Sequence, residues 1–217
     1  MIRGLREILP DNGKAFSSIL ISLKTRNFRL YFTGMCVSLT GTWMQQIAMS
    51  WLVYRLTGSV FLLATVTFMA QIPILLVTPL MSVFVDRFDR QKILILTQSL
   101  SMVQALSMAA LTLSGVIEVW HILILSLLIG CINALDNPTR QAFYPSLVAK
   151  EHLSNAIALN SAVINGSRLI GPAVGGGLIG IFGEGLCFLL NGISYLGVII
   201  ALFLIRLSPF TVQHRRQ

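Results

Sequence analysis

The chain has 217 residues, 55% of them hydrophobic and only 11% charged, with a formal net charge of +8 and a mean hydropathy of +0.79. A soluble domain of this length would carry about a quarter of its residues as charges, so that class is excluded. The apolar runs are continuous over about 20 residues, which argues against a β-barrel, whose strands would alternate over about 10.

Residues 1–26 read as a basic cytoplasmic leader; its apolar stretch, Phe16 to Leu23, is too short and serine-broken for a cleavable signal peptide. The segment 27–207 holds six predicted spans, approximately Phe28–Tyr54, Val60–Val85, Ile93–Leu113, Val119–Leu135, Leu153–Phe182 and Leu186–Leu207. Each is long enough to cross about 30 Å of hydrocarbon at about 1.5 Å per residue. Residues 208–217 form a polar cytoplasmic tail. The fold class is therefore an all-α membrane protein of six transmembrane helices.

All of the 16 Lys and Arg residues except Arg55 and Arg168 fall in the leader, the second-to-third loop, the fourth-to-fifth loop or the tail. Basic residues mark cytoplasmic loops, so both termini are expected in the cytoplasm. Clustering at span ends is a membrane-topology pattern, and it excludes a nucleic-acid groove. The external loops, around Thr57–Ser59, Gly115–Glu118 and Gly183–Gly185, leave no room for a domain.

Charge is most concentrated in the second-to-third loop, Val85-Asp86-Arg87-Phe88-Asp89-Arg90-Gln91-Lys92. A carboxylate at a helix end pairs with Arg or caps a neighbouring N-terminus, so this segment either braces the mouth of the bundle or is a solvated turn. The fifth span carries Gly171-Pro172-Ala173-Val174-Gly175-Gly176-Gly177. Proline there removes a helix hydrogen bond, and the glycines admit close helix packing.

Gln45 and Gln46 sit near mid-depth of the first span and Gln71 near mid-depth of the second. Such amides line a substrate cavity or hydrogen-bond to neighbouring helices. Arg168 lies inside the fifth span, where an unpaired cation is costly. It reads as a contact for an anionic substrate or a proton-coupled ion pair, or as a brace against an acid such as Asp136. Asp136 itself, with Arg140, reads as a helix-end brace and not as a proton carrier. Pro73 and Pro79 bend the second span, and His121 is an interfacial residue. Cys36, Cys131 and Cys187 stand alone in apolar runs, without metal-ligand spacing. The chain has no GxxxxGK[ST], HExxH or GxSxG, so neither ATPase nor hydrolase chemistry is expected, and no cofactor or metal.

The loop resembles the signature of the major facilitator superfamily, G-x-x-x-D-R-x-G-R-[RK]-[RK]. Asp86, Arg87, Arg90 and Lys92 match; Ser82 and Asp89 stand where the pattern has glycines, and Gln91 where it has a basic residue. Gly171, Pro172, Gly175 and Gly176 resemble the G-P-x-x-G-G motif of the superfamily's drug antiporters. Arg26-Asn27-Phe28-Arg29, Gly41-Thr42-Trp43-Met44-Gln45-Gln46, Trp51-Leu52-Val53-Tyr54, Leu56-Thr57-Gly58-Ser59 and Asp136-Asn137-Pro138-Thr139-Arg140-Gln141 are similar to the enterobactin-exporter subgroup. The likeness runs from about residue 24 to 206.

That resemblance implies the N-terminal half of the major facilitator fold, a 3+3 inverted repeat of spans 1–3 against 4–6. It implies an efflux-type secondary transporter, proton-coupled, moving a siderophore or drug across a bacterial inner membrane by alternating access. Asp86 and Arg90 would inherit the lock on the outward-facing state. Six spans supply one wall of the cavity, so the expected partners are membrane lipid, a small-molecule substrate and either a C-terminal half or a second copy. The alternative is a truncated or accessory bundle that does not itself transport.

Overall fold

The computed structural model describes residues 21–207. The leader through residue 20 and the tail from residue 208 lie outside the described residues. A 3-10 turn, Ile21–Lys24, precedes six α-helices: α1 (Arg26–Thr57), α2 (Val60–Val85), α3 (Arg90–Leu113), α4 (Val119–Phe143), α5 (Leu153–Phe182) and α6 (Glu184–Leu204). Short 3-10 turns, Tyr144–Ser146 and Lys150–His152, link α4 to α5.

Four of these helices, α2, α3, α4 and α6, are long and apolar enough to cross a membrane by length and composition. α1 and α5 have the length, at 32 and 30 residues. Their apolar character is diluted by Thr40, Thr42, Gln45 and Gln46 in α1, and by Asn155, Asn160, Asn165 and Arg168 in α5.

Local chemistry sets the helix ends. Gly58 takes φ +61° and its N–H donates to the Tyr54 carbonyl at 2.8 Å, stopping α1. Ser59 then caps α2 by accepting from the Leu62 N–H at 3.3 Å. Gly183, at φ +80°, alone turns α5 into α6. The bounds of α2 and α5 coincide with those expected from sequence. α4 instead runs past Leu135 to Phe143, so Asp136-Asn137-Pro138-Thr139-Arg140 is helix and not loop. Pro138 forfeits one backbone bond, a loss helices tolerate within a packed bundle.

Packing follows a repeating scheme. α2 packs on α4 and α5 on α1; α1 packs on α6 and α4 on α3; α3 and α6 pack on each other. Many large apolar side chains point outward, among them Phe61, Leu75, Leu80, Leu169 and Ile181. In hydrocarbon such exposure costs nothing, and helices associate instead through close packing and internal hydrogen bonds. Gly130 of α4 illustrates the packing: a Cβ there would stand 2.5 Å from the Ala70 carbonyl oxygen of α2.

Two apolar clusters fill the interior. One gathers Phe28, Tyr31, Leu94, Phe143 and Leu202 near the basic end of the bundle. The other gathers Leu52, Met108, Ile122, Cys187 and Phe188 toward the opposite end. Between them runs a buried amide chain through four helices. Asn191 of α6 donates to Gln45 Oε1 at 2.8 Å, and Gln45 donates to Gln104 Oε1 of α3 at 3.1 Å. Gln104 then donates to the Leu125 carbonyl of α4 at 3.2 Å. All three side chains are below 8% exposed.

Interhelical amide bonds of this kind contribute about 0.6–1.7 kcal/mol each in a bilayer. A double-mutant cycle on Gln45→Ala and Asn191→Ala, read by thermal unfolding in mild detergent, is expected to give a coupling energy in that range. Additivity of the two losses would contradict a direct bond.

Candidate functional site

The uncovered polar surface lies on α5 and α1. Ser154, Ser161, Asn165 and Arg168 are all exposed, and their spacing of seven, four and three residues puts them on one stripe of α5. Leu169, 77% exposed, follows Asn165 by four residues and borders this stripe, whereas Ile170 and Ile181, 55% and 76% exposed, lie about 140–160° further round the helix on its apolar side. Ser167, Gly171 and Gly175 are buried against α1. A Cβ on Gly171 would stand 2.5 Å from the Trp43 Cβ and 2.9 Å from the Thr40 carbonyl oxygen, so this glycine is what lets the two helices touch. Gly176 faces open space. Of the four matching positions in the proline–glycine stretch, Gly171 and Gly175 pack and Gly176 does not; Pro172 is half-buried and the helix continues through it.

On this stripe the Arg168 guanidinium lies 4.8 Å above the Trp43 ring of α1. Ser167, its neighbour, shares a hydrogen bond with Thr40 at 3.2 Å, fixing the register of α5 on α1. Gln46, one turn from Trp43, is exposed as well, and so is Gln71 on α2. Gln45 differs from the other amides, because it is consumed in the buried chain. A cation at the centre of a spanning helix costs about 2.5–3.5 kcal/mol on insertion scales. Stacking on Trp43 offsets part of that, on the order of 0.5–2 kcal/mol.

Asp136 lies elsewhere, 2% exposed, between α4 and α3. It accepts from the Thr97 hydroxyl at 2.6 Å, the Gln98 amide at 2.8 Å and Arg140 Nε at 3.0 Å, with a second short contact to Arg140 Nη2. Arg140 also reaches the Met35 sulfur of α1 at 3.2 Å. Asp136 is therefore paired with Arg140, one turn along its own helix, and not with Arg168. These donors occupy both carboxylate oxygens, so Asp136 and Arg140 form a closed structural pair.

The charged loop ties three helices together at the basic end. Asp89 caps α3, accepting from the Gln91 and Lys92 N–H groups at 2.9 and 3.4 Å. Gln91 donates to the Leu202 and Ile205 carbonyls at 2.6 and 3.3 Å, satisfying the end of α6. Arg90 donates to the Ala142 carbonyl at 3.0 Å and to Asp86 at 3.4 Å. Asp86 is 73% exposed, so the Asp86–Arg90 pair contributes no more than about 0.5 kcal/mol. Arg87 and Lys92 are exposed.

A polar stripe on an otherwise lipid-facing bundle, a buried carboxylate pair and a charged inter-helix loop accord with what comparison with known proteins finds. The family described as transmembrane secretion effector, of the major facilitator superfamily, matches residues 17–213. The chain belongs to that family. It is 30% identical over 168 residues to the staphyloferrin A transporter of Staphylococcus aureus, covering 77% of this chain and 42% of that protein. It is 27% identical over 172 residues to an uncharacterized MFS-type transporter, YfiS, of Bacillus subtilis, covering 78% and 40%. It is 27% identical over 158 residues to macrolide efflux protein A of Streptococcus pyogenes, covering 70% and 38%. The chain thus spans about two fifths of the length of the curated relatives it matches. No solved structure matches it.

In this family member the departures from the loop pattern have local work to do: Asp89 and Gln91 serve as helix caps. Two features escape sequence reading. Arg55 at the end of α1 donates to Glu184 at the start of α6, at 2.7 and 3.3 Å, with Glu184 almost wholly buried. Trp43 as the seat of Arg168 is the other. Neither pair has a sequence signal, since the partners are far apart along the chain. Among the described residues no group of three or more His, Cys, Asp or Glu is placed to hold a metal ion.

Leaving one member of a buried ion pair costs about 3–5 kcal/mol. Arg140→Met is expected to lose most of its folded yield, and Asp136→Asn combined with Arg140→Met to recover part of it, as read by monodisperse yield in detergent. Equal yields for Arg140→Met and the parent chain would contradict the pairing.

Proposed function

We propose that the chain is one wall of an efflux-type secondary transporter that moves a small organic molecule, such as a siderophore or drug, by alternating access. The observation that carries this reading is the uncovered polar stripe of Arg168, Asn165 and Ser161 beside Trp43 and Gln46. Lipid cannot satisfy such a surface, so it faces water or an opposing wall. All six helices span, α1 and α5 with their polar sides turned to the cavity. The pairing scheme, in which α1, α2 and α3 correspond to α4, α5 and α6, supports a 3+3 inverted repeat.

The relatives' greater length supports a second six-helix half as partner, either a C-terminal segment or a second copy. In that arrangement Asp86, exposed at the basic end, meets the opposing half, and Arg90 holds the end of α4. The Gly171–Gly175 contact gives α5 a close bearing on α1 during rocking. The clustering of basic residues at one end supports a reading with both termini in the cytoplasm, in a bacterial inner membrane. Proton coupling fits the likeness to drug antiporters. Asp136, held by Arg140, is not the carrier in this reading, which assigns that role to the opposing half.

Efflux of a fluorescent drug panel from cells tests the proposal, with the chain expressed alone or beside a matching C-terminal half, with and without a protonophore. The expected result is protonophore-sensitive efflux in the paired cells. Efflux from the single chain would support a homodimer, and silence in both would favour an accessory bundle.

A further inference from the structure

We infer that Arg168 and Trp43 form a binding site for an organic anion, a carboxylate held edge-on by the guanidinium. The inference rests on reading the polar stripe as a cavity wall, and it adds the chemical class of what is carried.

Among the described residues the ion pairs join Arg55 to Glu184, Arg90 to Asp86 and Arg140 to Asp136. Arg168 takes part in none of them, although it is exposed and lies at the middle of a 30-residue helix. Every other basic residue within the bundle's reach has an oxygen partner or lies at a helix end. At about 1.5 Å per residue, Arg168 stands about 21 Å from either end of α5, whereas half the hydrocarbon core is about 15 Å. An extended arginine does not cover that distance, so lipid phosphate is not its counter-ion. The charge therefore faces the cavity, where an arriving anion meets it.

The geometry selects the kind of anion. The guanidinium carbon lies 4.8 Å from the centre of the Trp43 ring, and among the described residues its N–H groups have no hydrogen-bond acceptor, so its donor fork is free. That fork matches the two oxygens of a carboxylate in a bidentate pair. Asn165, one turn away, donates its amide to the Ser161 carbonyl at 2.9 Å. Its position on the stripe keeps the neighbourhood polar and acid-free: Ser154, Ser161 and Asn165 carry no charge. A cationic substrate would meet uncompensated repulsion at Arg168, and a neutral one would leave the charge unsatisfied.

Trp43 is itself the reporter. Trp51→Phe and Trp120→Phe leave it as the one tryptophan of the three. The full 217-residue chain, purified in mild detergent, is titrated at constant ionic strength with citrate and, separately, with its neutral triethyl ester. The expected result is a saturable change in Trp43 emission with citrate and none with the ester. Arg168→Gln should weaken the citrate response by about tenfold or more, the loss of a charge-assisted pair. Arg168→Lys, which keeps the charge but not the planar fork, should bind more weakly than the parent and still prefer citrate to the ester. That variant decides the matter if Arg168→Gln fails to fold. An equal response to citrate and ester, an unchanged titration in Arg168→Gln, or no saturable response in the parent would each overturn the site. Anion binding without efflux in any pairing would instead overturn the transporter reading and leave the site standing.

Discussion

Hydrocarbon offers no hydrogen-bond partner, so each polar side chain that enters it must be satisfied within the bundle or face water. The Asn191–Gln45–Gln104 chain meets that demand by linking α6, α1 and α3 and ending on the backbone of α4. It lies between two apolar clusters that on their own would set no particular depth for one helix against the next. Greasy surfaces slide in a greasy solvent; amides that pair only at one depth do not. The register of the four helices depends on this layer, and so does the placing of everything on α1.

Once that register holds, the other polar groups divide into two populations. Those of α3, α4 and α6 turn inward: Asp136 collects Thr97, Gln98 and Arg140, and Glu184 collects Arg55. The stripe of Ser161, Asn165 and Arg168 on α5, with Gln46 of α1, stays uncovered. The first population closes the bundle's back and ends; the second is left for a solvent, a substrate or a partner. Gly171 sits at the boundary, buried against α1 while Arg168, one turn earlier, remains exposed. The family assignment and the open surface are the two supports of the proposed reading as one wall of a transport cavity.

Much of this was legible in the chain. Apolar runs bounded by glycine and charge placed α2 and α5 at their observed limits, and the crowded polar residues of the fifth run marked it as different. The fourth apolar run predicts a span ending at Leu135, whereas α4 continues through Pro138 to Phe143, since a packed bundle tolerates a proline within a helix. Partners were the larger gap. Gln45 looked like its neighbour Gln46, yet one is buried and the other exposed, since consecutive helix residues lie about 100° apart and only packing decides which turns inward. Arg168 was recognisable as an expensive charge, but its seat on Trp43 belongs to tertiary structure.

The most direct test of the central claim, that α5 carries a water-facing stripe beside a lipid-facing one, is cysteine accessibility. In a background with Cys36, Cys131 and Cys187 replaced by serine or alanine, single cysteines at Ser161, Asn165, Ile170 and Ile181 are labelled in membranes with a small charged thiol reagent. Rapid labelling at Ser161 and Asn165, with Ile170 and Ile181 protected, is the predicted result. Equal protection at all four positions, or labelling of Ile170 and Ile181 ahead of the polar pair, would contradict it.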